Sequence, residues 1–76
     1  MIQLTNESIK RLPDEMPITV TWSGGNGPHQ YALRRVAGRP YACAYVRGRG
    51  QNIGWLDNIG EHPLTQVWVE ENRWLK

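Results

Sequence analysis

The stretch RPYACAYVRGRGQ, residues 39–51, alternates its side chains with the period of a β-strand. Ala42, Ala44 and Val46 share one face, which is small and apolar and is therefore predicted to face the core. The opposite face carries larger and more polar side chains: Tyr41, Cys43, Tyr45, Arg47 and, if the strand continues, Arg49. This assignment predicts a strand with a buried small-residue face and an arginine–tyrosine surface.

The charges are distributed unevenly along the 76 residues. The formal net charge is +2, but no acidic residue occurs from Met16 to Leu56, a region that holds five arginines and no lysine. The acidic residues lie near the two ends of the chain. Arginine is suited to bidentate contact with phosphate or carboxylate, so the pattern predicts a polarised surface with a basic middle.

The rest of the chain predicts a single small β-rich domain over residues 1–76. Hydrophobic alternation and turn-forming residues indicate strands at about 17–22, 30–37, 40–47, 52–56 and 64–71, and a Thr5 N-cap with Pro13 beyond it indicates a helix at about 5–12. Strands at intervals of about ten residues are typical of a small barrel. We therefore expect a mainly β fold, a five-stranded antiparallel barrel or rolled sheet of SH3-like or OB-like type with one short N-terminal helix.

The hairpin between the second and third predicted strands has two possible registers. A two-residue turn at Gly38-Arg39 pairs Arg34 with Cys43 and adds Arg34 to the tyrosine face. A three-residue loop instead places Tyr31, Leu33 and Arg35 beside the tyrosines. The two-residue turn is favoured because it keeps Arg34 out of the core.

Catalytic and metal sites receive little support from the sequence. The glycine-rich loop at 24–29 lacks the Gly-Lys-Ser/Thr ending of a phosphate-binding loop. Cys43 lies between alanines in a strand, and His29 and His62 lack the spacing of paired metal ligands. A single cysteine forms no internal disulfide, and neither a signal peptide nor a membrane-spanning run is evident. We expect a cytoplasmic protein that is not an enzyme and uses no cofactor or metal.

The predicted function is therefore binding. Arginines neutralise phosphates and tyrosine rings stack on unpaired bases, so the primary hypothesis is contact with DNA or RNA through a sheet face that carries Arg34, Tyr41, Tyr45, Arg47 and Arg49. Arg35 and Arg39 are expected to steer the nucleic acid from the hairpin edge. The alternative is a protein-binding regulator or inhibitor, of the small kind encoded by phages or plasmids, whose arginines dock in an acidic groove of a larger partner.

Two further possibilities are left open. The tyrosines can simply cover the sheet while the arginines pair with acidic residues of the same chain. Trp74 and Leu75 near the C-terminus can pack back on the domain or form a second interface with a partner or in a homodimer. No contact with a membrane is expected.

Overall fold

A computed structural model describes residues 1–25 and 27–70, with the backbone alone at Tyr45 and Val46. Within these residues the chain forms one antiparallel sheet of six strands, in the order β1-β6-β2-β3-β4-β5. The strands are β1 (Ile2–Gln3), β2 (Pro17–Trp22), β3 (His29–Val36), β4 (Arg39–Val46), β5 (Arg49–Trp55) and β6 (Leu64–Val69). The mainly β, antiparallel prediction is confirmed. The additional strand is β1, which pairs with β6. Over the described residues the sheet is not closed, so that β1 and β5 are its edges.

The alternation of apolar residues builds the core. Ile18 and Val20 of β2, Leu33 of β3 and Ala42 of β4 are buried on the same side of the sheet. Val67 and Val69 of β6 are buried with them because Val67 pairs with Val20 in register. The predicted core face of β4 is thus confirmed at Ala42, while Ala44 is half-buried. Tyr41 and Cys43 on the opposite face are buried as well, so the alternation was wrong in predicting an exposed surface at these two positions.

The N-terminal segment covers this core without forming the helix predicted over 5–12. It contains a single 3-10 helix, Ser8–Arg11. At its N-terminal end, the Thr5 backbone N–H donates to the Ser8 hydroxyl and the Ser8 backbone N–H donates to the Thr5 hydroxyl. So few residues are not stable as an α-helix, and Leu12 is extended because a residue before proline disfavours the helical region. Ile9 and Leu12 are nevertheless buried in the core, as the sequence requires.

The hairpin between β3 and β4 turns at Ala37-Gly38 and not at Gly38-Arg39. Val36 pairs with Arg39, and both turn residues have positive φ, 52° at Ala37 and 79° at Gly38. This left-handed pair matches the twist of the flanking strands. The register differs by two residues from the favoured one, so the faces are unchanged while the partners differ: Arg34 lies opposite Tyr41 instead of Cys43.

The next hairpin repeats this geometry. Arg47 and Gly48 have φ values of 54° and 78°, and Val46 pairs with Arg49. The predicted strand therefore does not continue to Arg49, which instead begins β5. A bulge follows in β5, where Gly54 pairs with Ala42 but Asn52 pairs with Cys43, which leaves Ile53 as the extra residue.

No helix in the described part of the chain is long and apolar enough to cross a membrane.

Candidate functional site

Part of the predicted basic face is a stack of side chains at the start of β4 and the end of β5. Tyr41 and Trp55 pair across the two strands, with their rings 4.2 Å apart between centroids and 13° from parallel. The Arg39 guanidinium carbon lies 3.7 Å from the centroid of the Trp55 ring. We call Arg39, Tyr41 and Trp55 the arginine–aromatic cluster. Trp55 remains 38% exposed, whereas Tyr41 is only 8% exposed, so the indole is the accessible ring.

Asp57 fixes the arginine of this cluster. Arg39 Nε donates a hydrogen bond to Asp57 Oδ2 at 2.6 Å. This bond lowers the pKa of Asp57 and raises the pKa of Arg39, while partial burial opposes both shifts. The second carboxylate oxygen, Oδ1, is buried and has no hydrogen-bond partner among the described residues. The carboxylate therefore holds Arg39 over the indole.

The two neighbouring arginines of β3 serve different purposes. Arg34 lies opposite Tyr41, is about half exposed, and forms an ion pair from its Nε to Glu15 Oε1 at 3.2 Å. Arg35 points to the other side and binds the N-terminal segment. It donates to Asp14 Oδ1 at 3.1 Å and to the carbonyl oxygens of Ile9 and Lys10 at 3.0 and 3.1 Å.

Arg35 is thus engaged in holding the fold together, with its side chain only 22% exposed. The sequence grouped it with the binding residues because charge alone does not distinguish a structural arginine from a recognition arginine. Its three acceptors come from residues about 20 or more positions away in the chain, which no local pattern reveals.

Arg47 and Arg49 differ from the other arginines of the basic middle. Arg47 occupies the β4–β5 turn and Arg49 the first position of β5, and both are exposed. Neither forms an ion pair with an acidic residue in the described part of the chain. They are the cations most available to an anionic partner.

Three of the predicted site residues cannot be placed as side chains. The backbone of Tyr45 pairs with Gly50 across β4 and β5, but its side chain lies outside the described part of the structure. Trp74 and Leu75, the candidate second interface, also lie outside the described residues. Their roles stay predictions.

A cleft that the sequence did not indicate lies between the end of β5 and the segment 58–64. Its volume is about 480 Å³, and its lining includes Trp22, Tyr31, Ile53, Gly54 and Trp55. Trp22 Nε1 donates a hydrogen bond to the Tyr31 hydroxyl at 3.2 Å, and the two rings meet edge to face. The alternation in β2 predicts that Trp22 lies on the core side, but no sequence signal brings residue 22 to residue 54.

Cys43 and the two histidines lie in different surroundings. Cys43 is fully buried and its Sγ lies 3.8 Å from the Ala44 carbonyl oxygen, while His29 and His62 line the cleft. Among the described residues, no three histidine, cysteine or acidic side chains come together as metal ligands. What the surface offers is cations, an exposed indole and an aromatic cleft, which suit non-covalent recognition.

The chain matches no protein-family model, and neither a curated protein nor a solved structure is significantly similar to it.

Proposed function

We propose that the chain is a non-catalytic binding module that contacts single-stranded nucleic acid through the β4–β5 hairpin. The observation that carries the proposal is the position of Arg47 and Arg49, two exposed cations without an acidic partner among the described residues, on the hairpin that ends at Trp55. Arginines that neutralise phosphates supply the sequence-independent part of nucleic-acid affinity. An exposed ring on the same hairpin supplies stacking.

Arg34 and Arg39 lie with Trp55 on the opposite face of the sheet from Arg49, and they can contact phosphate there despite their ion pairs. Their side chains are 48% and 50% exposed, and ion pairs between exposed groups contribute little to stability. A phosphate can therefore replace Glu15 at small cost, whereas Arg39 keeps Asp57 on its Nε and can meet a phosphate with its remaining N–H groups. Tyr41 supports the surface by holding the Trp55 ring, and Arg35 belongs to the scaffold.

The recognition is largely independent of sequence, because arginine–phosphate contacts and stacking carry little information about the base. Small barrels of SH3-like or OB-like type use a sheet face in this way, and the assignment of this open sheet to either type stays a prediction.

The test is an amide NMR titration of the ¹⁵N-labelled protein with short single-stranded and duplex DNA and RNA, at low and moderate salt. We expect chemical-shift changes at Arg39, at Arg47–Trp55 and at the Trp55 indole. These changes should be larger with single strands than with duplexes and should weaken steeply with salt.

The double variant Arg47→Ala with Arg49→Ala should reduce the affinity about tenfold or more. The matched control, Lys10→Ala with Arg11→Ala, removes the same charge from the 3-10 helix and should have a smaller effect. If the two double variants lost the same amount of affinity, net charge alone would explain the effect. A spectrum that does not shift with any of the nucleic acids would reject the proposal.

A protein-binding regulator or inhibitor is the second candidate, and the open edge of the sheet favours it. In the described residues β5 pairs only with β4, and Ile53 and Trp55 on this edge are 40% and 38% exposed. An extended segment of a partner can add to such an edge, and its acidic residues would meet Arg47 and Arg49. A partner that is retained by the wild-type protein but lost with Ile53→Lys would favour this candidate, provided that the nucleic-acid titration is flat.

A further inference from the structure

The cleft beside β5 has the size of a ligand site and is bounded by structure on several sides. Ile53, Gly54 and Trp55 form one side, and residues of the segment 58–64 form another. Trp22, His29 and Tyr31 complete the lining. Its volume of about 480 Å³ lies in the range of pockets that enclose small organic groups, roughly 300–1,000 Å³.

The chemistry of the lining favours a flat, uncharged group with polar edges. Trp22, Tyr31 and Trp55 supply aromatic surface, while Asn58, Glu61 and His62 supply hydrogen-bonding groups. None of the described residues that line the cleft is a lysine or an arginine, although the chain has nine of them. A phosphate would thus find no lysine or arginine inside the cleft and would meet the carboxylate of Glu61.

The cations lie outside the cleft. Trp55 lines the cleft and is also the ring over which the Arg39 guanidinium is held. The other two exposed arginines lie at the far end of β5 from the cleft, where Arg49 begins the strand and Arg47 lies in the turn before it. A ligand that combines a flat heterocycle with an anionic backbone matches this division, with the ring in the cleft and the backbone along the hairpin.

We propose that the cleft receives one unpaired base of the bound single strand, while phosphates farther along the strand contact Arg49 and Arg47 at the other end of the hairpin. This inference rests on the proposed function and adds a defined base-binding site to it. The purine or pyrimidine ring contacts the aromatic side chains. At the edge of the ring, the Asn58 amide donates and accepts hydrogen bonds and the Glu61 carboxylate accepts them.

The aromatic walls are in place before a ligand arrives. The bond from Trp22 Nε1 to the Tyr31 hydroxyl fixes the two rings at 65° to each other, with centroids 6.4 Å apart. The Trp22 indole also lies against the backbone of Gly54, where a side chain at position 54 would collide with the indole. A preformed site of this kind loses little side-chain freedom on binding.

The experiment compares two oligonucleotides of equal length and charge with the ¹⁵N-labelled protein. One is a mixed single-stranded DNA and the other is a chain of abasic tetrahydrofuran sites, which keeps the phosphates and removes every base. Both should shift the amides of Arg47 and Arg49. Only the base-bearing strand should shift the Trp22 indole N–H and the amides of Ile53 and Gly54, and it should bind about tenfold more tightly.

Two variants of the same charge separate the cleft from the rest of the hairpin. Ile53→Glu places a carboxylate at the cleft, and Gln51→Glu places one on the same strand at a residue that does not line it. Ile53→Glu should remove the preference for the base-bearing strand, whereas Gln51→Glu should weaken both strands by the same factor and leave the preference unchanged.

The outcomes distinguish the two levels of the proposal. Shifts at Arg47 and Arg49 with both strands, without any at Trp22 or Gly54, would overturn the base-binding site and leave the proposed function standing. No shifts with either strand would overturn the proposed function and the base site together. A preference for the base-bearing strand that survives Ile53→Glu would place the stacking surface elsewhere and also overturn the base site.

Discussion

The tip of the Trp22 indole lies against the backbone of Gly54, so closely that a Cβ at position 54 would stand 2.9 Å from Trp22 Cη2. The two residues are far apart in sequence, and this contact connects β2 with the edge strand β5 across the core side of the sheet. It explains why the end of β5 carries a glycine, although glycine in a strand normally weakens it. The residue provides room for the indole.

Gly54→Ala is therefore expected to destabilise the protein by about 1–3 kcal/mol, the usual range for an overpacked site. The indole cannot move away freely, because its Nε1 is hydrogen-bonded to Tyr31. Urea unfolding followed by far-UV circular dichroism measures the change in the free energy of unfolding.

The control for this prediction is the same substitution in a background that has no indole. In Trp22→Leu protein, Gly54→Ala should cost much less, since the atom that the new methyl group would meet is absent. A loss of the same size in both backgrounds would mean that strain in the bulged strand, and not the indole, requires glycine at position 54.

Much of the sheet could be predicted from the sequence, because alternation acts locally. Ile18 and Val20 in β2 and Ala42 in β4 are buried as their periodicity requires. The face of Arg34 was also predictable, since a two-residue slip in the hairpin leaves the faces unchanged. The turn position was not, because Ala37-Gly38 lacks the usual Asn-Gly or Asp-Gly signature of a turn with two positive φ values.

The partners of the arginines and the cleft were beyond the reach of local patterns. Asp14, Glu15 and Asp57 lie in connecting segments, and only the fold brings them to Arg35, Arg34 and Arg39, respectively. The sequence allows the arginines to pair with acidic residues of the same chain, but it does not indicate which ones. Charge counts along the sequence overstated the free positive charge of the basic middle for this reason.

Arg35→Ala should loosen the N-terminal segment and cost about 2 kcal/mol. The guanidinium donates to the Ile9 and Lys10 carbonyl oxygens and to Asp14, and hydrogen bonds that involve a charged group contribute about 1.5–3 kcal/mol. Thermal unfolding measures the loss, and amide hydrogen exchange at Leu12, whose N–H bonds to the Ile9 carbonyl, reports the local opening.

The neighbouring arginine supplies the comparison for this experiment. Arg34→Ala removes the same charge from the same strand but mainly affects exposed contacts, so its cost should stay below about 1 kcal/mol. If the two variants were equally unstable and Leu12 exchanged at the wild-type rate in both, Arg35 would not be what holds the segment.

Ala37→Asn should stabilise the β3–β4 hairpin by about 0.5–1 kcal/mol. Ala37 has a φ of 52°, and the left-handed conformation costs a residue with a Cβ roughly 1–2 kcal/mol, which asparagine tolerates better. The substitution also gives the Asn-Gly pair that such turns prefer. Urea unfolding should show a higher midpoint with an unchanged slope. Val36→Asn, one residue earlier in the extended strand, is the matched control and should lower stability. If Val36→Asn also raised stability, the turn geometry would not be the cause of the effect of Ala37→Asn.

Asp57→Asn should reduce stability at neutral pH and have less effect in acid. The hydrogen bond from Arg39 lowers the pKa of Asp57 in the folded state below the value of about 4 that an unfolded aspartate has. The folded protein thus binds this proton less readily than the unfolded chain does. The contribution of the Asp57 carboxylate to stability is present above about pH 4 and is lost as the pH falls through the folded pKa.

Urea unfolding of the wild type and of Asp57→Asn at pH 7, 5 and 3 isolates this residue, because the other acidic residues cancel in the difference between the two free energies of unfolding. The difference should be similar at pH 7 and 5 and smaller at pH 3, whereas an equal difference at all three values would show that the carboxylate charge does not hold Arg39 in the cluster.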